Sequence, residues 1–280
     1  MEKGIYDGST DQYRHLIEDG YDFHLGDYIS RGWEIFTSKG WSFFGFTLLF
    51  IIISGVVGSI TENLSISNLN VIGTIIETVI SGALTAGFFV VADKIHHGEN
   101  SDFGDFFKGF DDFAQIAYSQ LLIQVFALAA GSILLGRLFI GTNIWEAFID
   151  PATPLALDLE SIREMLTSVK FITTGSLVLL ILLYISVAYQ FTIPLIVFGR
   201  LKFWDAMETS RRIITRNFFN FFLLYLVSIV FLFIGMLVFI VGVFAAVAFM
   251  FCITYAAYID IVGHASSLED KIEEIGNNPE

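Results

Sequence analysis

Two ionised side chains stand inside otherwise uncharged apolar runs: Glu77 within Val71–Ala92 and Arg137 within Ile116–Ile140. A charge in hydrocarbon costs several kcal/mol unless it is paired or hydrated, so both are functional candidates by default. Glu77 lies about 9 Å from the start of its run and Arg137 about 5 Å from the finish of its own at helical rise, which antiparallel spans bring to the same, outer face. An ion pair tying the two helices is the plain use of that placement, with Arg137 reaching outward. A proton or ion relay is the chemical use. Asp260, near the end of the last apolar run, anchors that boundary with Arg200 or Arg211 in reach. Gln190, like Gln120 and Gln124, can hydrogen-bond between helices. Arg211, Arg212 and Arg216, with Trp204 and Trp33, suit contact with lipid headgroups at the inner surface.

Other chemistry is poorly served. Asp93-Lys94-Ile95-His96-His97-Gly98-Glu99-Asn100-Ser101-Asp102 is rich in metal-ligand types but has no recognised ligand spacing, and reads as a solvated turn ended by Gly98. The hydrolase, metalloprotease and phosphate-loop signatures are all missing. No enzyme activity, cofactor or metal site is expected. The single Cys252 excludes a disulfide framework. A net charge of −14 argues against nucleic acid as a partner.

The elements that must position these residues are membrane spans. The 280 residues are 55% apolar and only 16% charged, with a mean hydropathy of +0.69, far from an ordinary soluble domain. Runs of about 20 apolar residues cross the hydrocarbon as helices. They fall at Trp41–Ile60, Val71–Ala92, Ile116–Ile140 and Phe171–Phe198. The stretch Phe218–Val262 would be about 67 Å long as one helix and must fold back near Phe239–Gly242. Six transmembrane helices in an all-α polytopic fold are predicted. Twelve Lys/Arg fall on the side holding both termini and two, Arg163 and Lys170, on the other. The positive-inside rule then makes both termini cytoplasmic. Residues 1–22 and 264–280 read as acidic cytoplasmic tails flanking a membrane domain at 23–263.

Leu25-Gly26-Asp27-Tyr28, Phe103-Gly104-Asp105-Phe106 and Phe203-Trp204-Asp205-Ala206 stand before the first, third and fifth spans. Each opens an amphipathic stretch whose Asp favours a helix N-terminus. The predicted unit is an interfacial amphipathic helix followed by a two-span hairpin, repeated three times at about 23–93, 98–199 and 201–263. Phe23-His24-Leu25-Gly26-Asp27 leading into Trp33 and Phe36, Phe203 through Arg212 before a paired-Phe span, and Gly235 with Gly242 resemble a bacterial six-helix membrane family. That family is related to the membrane domain fused to some glycerophosphodiester phosphodiesterases. The resemblance covers Phe23–Val262 and implies a bacterial inner-membrane location and the hairpin pattern. It implies no activity, because no counterpart of the catalytic domain is present.

The expected function is a non-enzymatic scaffold or accessory subunit of a bacterial membrane complex, in contact with membrane lipids and a membrane protein partner. The alternative is a transporter or channel for a lipid or apolar small molecule. A hydrated cavity would favour the second, a closed bundle the first.

Overall fold

The computed structural model of the chain describes residues 10–63, 69–139 and 167–263. Among these residues all regular structure is helical. Thr10–Tyr13 is a 3₁₀ turn leading into α1 (Arg14–Glu18). Then follow α2 (Leu25–Ser38), α3 (Gly40–Asn63), α4 (Leu69–His96), a 3₁₀ segment (Phe103–Asp112) and α5 (Phe113–Phe139). After them come α6 (Val169–Ala188), α7 (Thr192–Val197), α8 (Phe203–Arg216), α9 (Phe218–Leu237) and α10 (Phe239–Tyr258), closed by a π turn (Ile259–Gly263). Among the described residues, six helices are long and apolar enough to cross a membrane. Their outward side chains, such as Ile51, Ile52, Val56, Leu226 and Val230, are large and apolar, as a lipid-facing surface requires.

The chain divides into two compact units, residues 1–121 with 187–280 and residues 122–186. The second unit holds the far portions of α5 and α6, with Leu128, Ile133, Leu179 and Leu180 exposed. The first unit holds everything discussed below. Within it, half of the second span and 61% of the sixth are buried, against 17% of the first and 22% of the fifth. The second and sixth spans are therefore its inner helices.

Two antiparallel hairpins are resolved, α3 with α4 and α9 with α10. The second turns at Val238, a single residue between helices. The predicted reversal at Phe239–Gly242 is thus one residue late. Glycines permit the closeness: a Cβ on Gly235 would meet the Gly242 carbonyl oxygen at 2.5 Å.

The three Asp-led segments form helices at the end of the bundle where α1 and the π turn lie, here the basal end. The first and third are α-helices; the second is 3₁₀, ten residues long, although such runs seldom exceed about 4 residues. Its N-terminus carries a reciprocal cap between Asp102 and Asp105, which satisfies two free donors. Each basal helix buries the residue after its Asp, namely Tyr28, Phe106 and Ala206. Each also places a small residue at its tightest contact. Gly32 of α2 lies against the backbone of Ile253 in the sixth span, where a Cβ would come to 2.9 Å. Gly109 of the 3₁₀ segment lies against the Ala83 carbonyl in the second span, and Gly87 against the Phe106 carbonyl. Ser210 of α8 bonds the backbone at the end of α6. So the first basal helix packs on the last hairpin, the second on the first, and the third on the fourth span. Ala83 and Gly87, one turn apart on α4, together admit the 3₁₀ segment. Phe46 stacks on Phe106 with centroids 4.3 Å apart and Phe43 meets it edge-on at 5.4 Å, which fills that corner with aromatic contacts.

Part of the N-terminal tail is docked rather than solvated. Tyr13 and Leu16 are buried, Tyr21 Oη donates to the Ile213 carbonyl at 2.7 Å, and Asn217 Nδ2 donates to the Tyr21 carbonyl at 3.2 Å. Apolar residues at Tyr13 and Leu16 supply the adhesion that the acidic average of residues 1–22 conceals.

Candidate functional site

The fourth span is not one helix. It stops at Ala188, turns through Tyr189-Gln190-Phe191 and resumes at Thr192 as α7. Pro194 accounts for the break, since it offers no N–H to the Gln190 carbonyl four residues earlier. Gln190 is about 10 Å from the basal end of the span at Val197, counted at helical rise. Irregular backbone at membrane depth is tolerated only where protein buries it or where it lines a cavity. Both conditions are met. Ser210 Oγ donates to the Ala188 carbonyl at 2.8 Å and accepts from the Phe191 N–H at 3.2 Å. One fully buried hydroxyl from α8 thereby satisfies the backbone on both sides of the break.

Beside the break is a cavity of about 180 Å³. Thr85 and Phe89 of α4, Gln120 of α5, and Tyr225 and Ser228 of α9 line it. Met250, Phe251 and Thr254 of α10 close it opposite Tyr189, Gln190 and Ile193. Five spans contribute, and none of the lining side chains is Asp, Glu, Lys, Arg or His. Two of the polar groups are committed to their own helix. Ser228 Oγ donates to the Leu224 carbonyl at 2.9 Å and Thr254 Oγ1 to the Met250 carbonyl at 3.0 Å. Gln190 Nε2 is buried and has no hydrogen-bond partner among the described residues. A buried donor without an acceptor costs about 1–3 kcal/mol. Thr192 Oγ1 and Thr209 Oγ1, beside Phe191 and Ser210 in sequence, are in the same condition.

About one helical turn nearer the basal end lies a second cavity of about 290 Å³. Asp93, Gly199, Arg200, Tyr258 and the N-terminal Gln12 and Tyr13 line it. The layer between the two is aromatic. Tyr255 Oη donates to Asp93 Oδ1 at 2.7 Å. Phe198 packs on the rings of Tyr255 and Tyr258 at 6.0 and 5.9 Å.

Of the predicted polar residues, Gln190 and Gln120 line the cavity beside the break. Glu77 is exposed on α4, eight residues from Thr85, and makes no hydrogen bond or ion pair with another described residue. The Arg137 side chain lies outside the described residues, and with it the expected Glu77–Arg137 pair. Asp260 does anchor the basal boundary, with partners other than those expected. Arg31 Nη1 donates to it at 2.9 Å and Tyr28 Oη at 3.1 Å, because α2 packs along the sixth span. Arg200 instead bonds Asp112 at 3.0 Å, and Arg211 bonds Glu208.

The headgroup set is partly neutralised internally. Arg211 chelates Glu208 at 2.8 and 2.7 Å and Arg212 reaches the same carboxylate at 2.6 Å. Arg211 first, then Arg212, holds that carboxyl down at about 2. Arg216 donates to the Glu18 carbonyl at 3.3 Å. Trp204 and Trp33 expose about half of their surface, 55% and 54%. Against the pull of burial, Lys108 and Lys94 at 2.7 and 2.8 Å hold the Asp105 carboxyl well below its usual range. These pairs fasten the basal helices.

Thr85, Tyr189, Tyr225, Ser228 and Thr254 were not singled out from the sequence, since single hydroxyls in apolar runs are common. Pro194 four residues after Gln190 was the available signal. Set against known proteins, the chain matches no family, no curated protein and no solved structure.

Proposed function

We propose that this chain is a non-enzymatic membrane protein that binds a lipid or apolar small molecule within its bundle, as a transporter or carrier does. One observation carries the reading: a span broken at membrane depth, whose irregular turn lines a cavity walled by five spans. Discontinuous helices in this position are the usual construction of substrate sites in transporters. A mostly apolar cavity with a few fixed polar groups is the usual construction of a small-molecule site. The charge bias and the family resemblance support a bacterial inner membrane with both termini in the cytoplasm. Native mass spectrometry on the full chain in native nanodiscs tests the binding reading. A retained small molecule, lost on Ser228→Phe, is the expected result. A protein that retains nothing in wild type, or an occupant indifferent to Ser228→Phe, overturns it.

The accessory-subunit reading keeps one observation in its favour. Glu77 stands exposed on α4 beside the exposed Ile72, Ile75 and Ile76, a place where a carboxylate gains from a partner helix. A stoichiometric membrane protein captured in the same nanodiscs, and lost on Glu77→Leu, supports it. Capture unaffected by that substitution removes it.

A further inference from the structure

The basal cavity shares no lining residue with the one at the broken span, and its walls carry charge. We infer that it binds an organic amine by its primary ammonium group, seated on Asp93 in a space that the Tyr258 hydroxyl also faces. Asp93 Oδ1 already accepts from Tyr255 Oη at 2.7 Å and lies 3.5 Å from the His97 ring. Asp93 Oδ2 has no hydrogen-bond partner among the described residues. Neither has Tyr258 Oη, although Tyr258 is only 3% exposed. The side-chain atoms of described residues that are both unpartnered and sealed from solvent belong to Gln190, Thr192 and Thr209. Asp93 Oδ2 and Tyr258 Oη are therefore unsealed, and open on the cavity that both residues line.

The surroundings set the sign of the ligand. No lysine or arginine among the described residues forms an ion pair with Asp93. Lys94 is paired with Asp105 at 2.8 Å, and Arg200, on the same cavity, gives Nη1 to both oxygens of Asp112 at 3.0 and 3.1 Å. Asp93 also stands in the last turn of α4, where the negative end of the helix disfavours a carboxylate and favours a cation. Ile259 and Val262 bring the end of α10 and its π turn to the same space. Phe198 and Tyr13 add aromatic surface, which a cation also favours. A divalent metal needs several oxygen ligands, and Asp93 is the one carboxylate in the described lining. The volume of about 290 Å³ equals roughly ten waters at ~30 Å³ each and suits an aminoalkyl group. An ammonium bearing N–H fits better than a quaternary one, because a charge-assisted hydrogen bond to Oδ2 brings the charges within about 2.8 Å, an approach that methyl groups prevent. The headgroup of an aminophospholipid and a free alkylamine present this same chemistry.

The test places the full chain in nanodiscs of equal dioleoyl phosphatidylethanolamine and phosphatidylcholine and reads retained lipid by native mass spectrometry. Phosphatidylethanolamine should be retained about fivefold or more over phosphatidylcholine. Asp93→Asn keeps the shape and an acceptor for Tyr255, and should bring the two lipids to near-equal retention. Tyr258→Phe should weaken the preference by about threefold, and it decides the matter if Asp93→Asn does not fold. Ser228→Phe, in the other cavity, should leave the preference unchanged. Melting temperature in pure phosphatidylcholine nanodiscs separates the sources. Ethanolamine that stabilises wild type but not Asp93→Asn, with no lipid preference, assigns the site to a free amine; preference for the ethanolamine lipid assigns it to a headgroup. Equal retention of the two lipids with no stabilisation by ethanolamine overturns the proposal, as does a preference that survives Asp93→Asn or is lost on Ser228→Phe. Tetramethylammonium stabilising as well as ethanolamine overturns the N–H class. An occupant lost on Ser228→Phe belongs to the broken span and one lost on Asp93→Asn to this cavity, so the two readings fail separately.

Discussion

Ser210 is the support of the broken span, and replacing it with Ala should expose how much that support contributes. The substitution removes one oxygen and creates almost no void. It leaves the Ala188 carbonyl and the Phe191 N–H without the partner seen at 2.8 and 3.2 Å. Both groups sit where Ser210 is wholly buried. Each unsatisfied buried backbone group costs about 1–3 kcal/mol, so Ser210→Ala should destabilise by about 2–6 kcal/mol. Ser119→Ala is the matched control. Ser119 is equally buried, but its hydroxyl bonds the Ile116 carbonyl three residues back in its own helix, so its loss should cost under about 1 kcal/mol. Chemical unfolding in mild detergent, followed by tryptophan fluorescence, supplies both numbers. Retention of the bound molecule by native mass spectrometry should fall in Ser210→Ala and persist in Ser119→Ala. Equal losses in the two variants would refute the claim that the hydroxyl holds the break in shape.

Gly109→Val should destabilise by about 3 kcal/mol or more, because its Cβ would run into the Ala83 carbonyl and the Gly87 nitrogen. Gly26→Ala, where a Cβ meets nothing within 4 Å, should be neutral or stabilising by up to about 1 kcal/mol; unfolding midpoints of the two variants decide it. Glu208, held at about 2 against an ordinary 4.5, contributes stability that is fully present above its unfolded value and lost as pH falls through the folded one. Melting temperature should therefore drop between about pH 4.5 and 2, and Glu208→Gln should flatten that part of the profile. Asp105, also depressed, extends the same loss to lower pH, and Asp105→Asn should remove the extension. Tyr255→Phe removes the bond to Asp93 at 2.7 Å from the layer between the cavities. A cysteine introduced at Thr254 in a Cys252→Ala background should then react with a soluble maleimide about tenfold faster; an unchanged rate would show that the layer is held by ring packing alone.

Much of the frame was legible in the residues. Long uncharged runs gave the spans because hydrocarbon thickness fixes helix length. Asp27, Asp105 and Asp205 marked the basal helices because a carboxylate favours a helix N-terminus. The tertiary partners were hidden. Asp260 was matched with the arginines nearest in the predicted topology, whereas Arg31, 229 residues away in sequence, is brought in by α2 packing on the sixth span. The candidate site was half visible. Gln190 stood out as an amide in an apolar run, and Pro194 was evident, yet a single Pro in a span can merely kink it. It breaks this one because Ser210 bonds the backbone on both sides, and Ser210 belongs to a segment that reads as a surface helix.

The exchange of basal helices between hairpins also sets a timetable for synthesis. The seat of α2 on the sixth span exists only after Asp260 has left the ribosome, 229 residues behind Arg31. At about 5–20 residues per second that is a wait of roughly 10–45 s. Through that interval the face carrying Tyr28, Gly32 and Ile35 has no seat of its own, and the membrane surface or a chaperone must shelter it. A ribosome that stalls before the final hairpin would leave a chain with an unseated, adhesive helix, a ready substrate for membrane quality control.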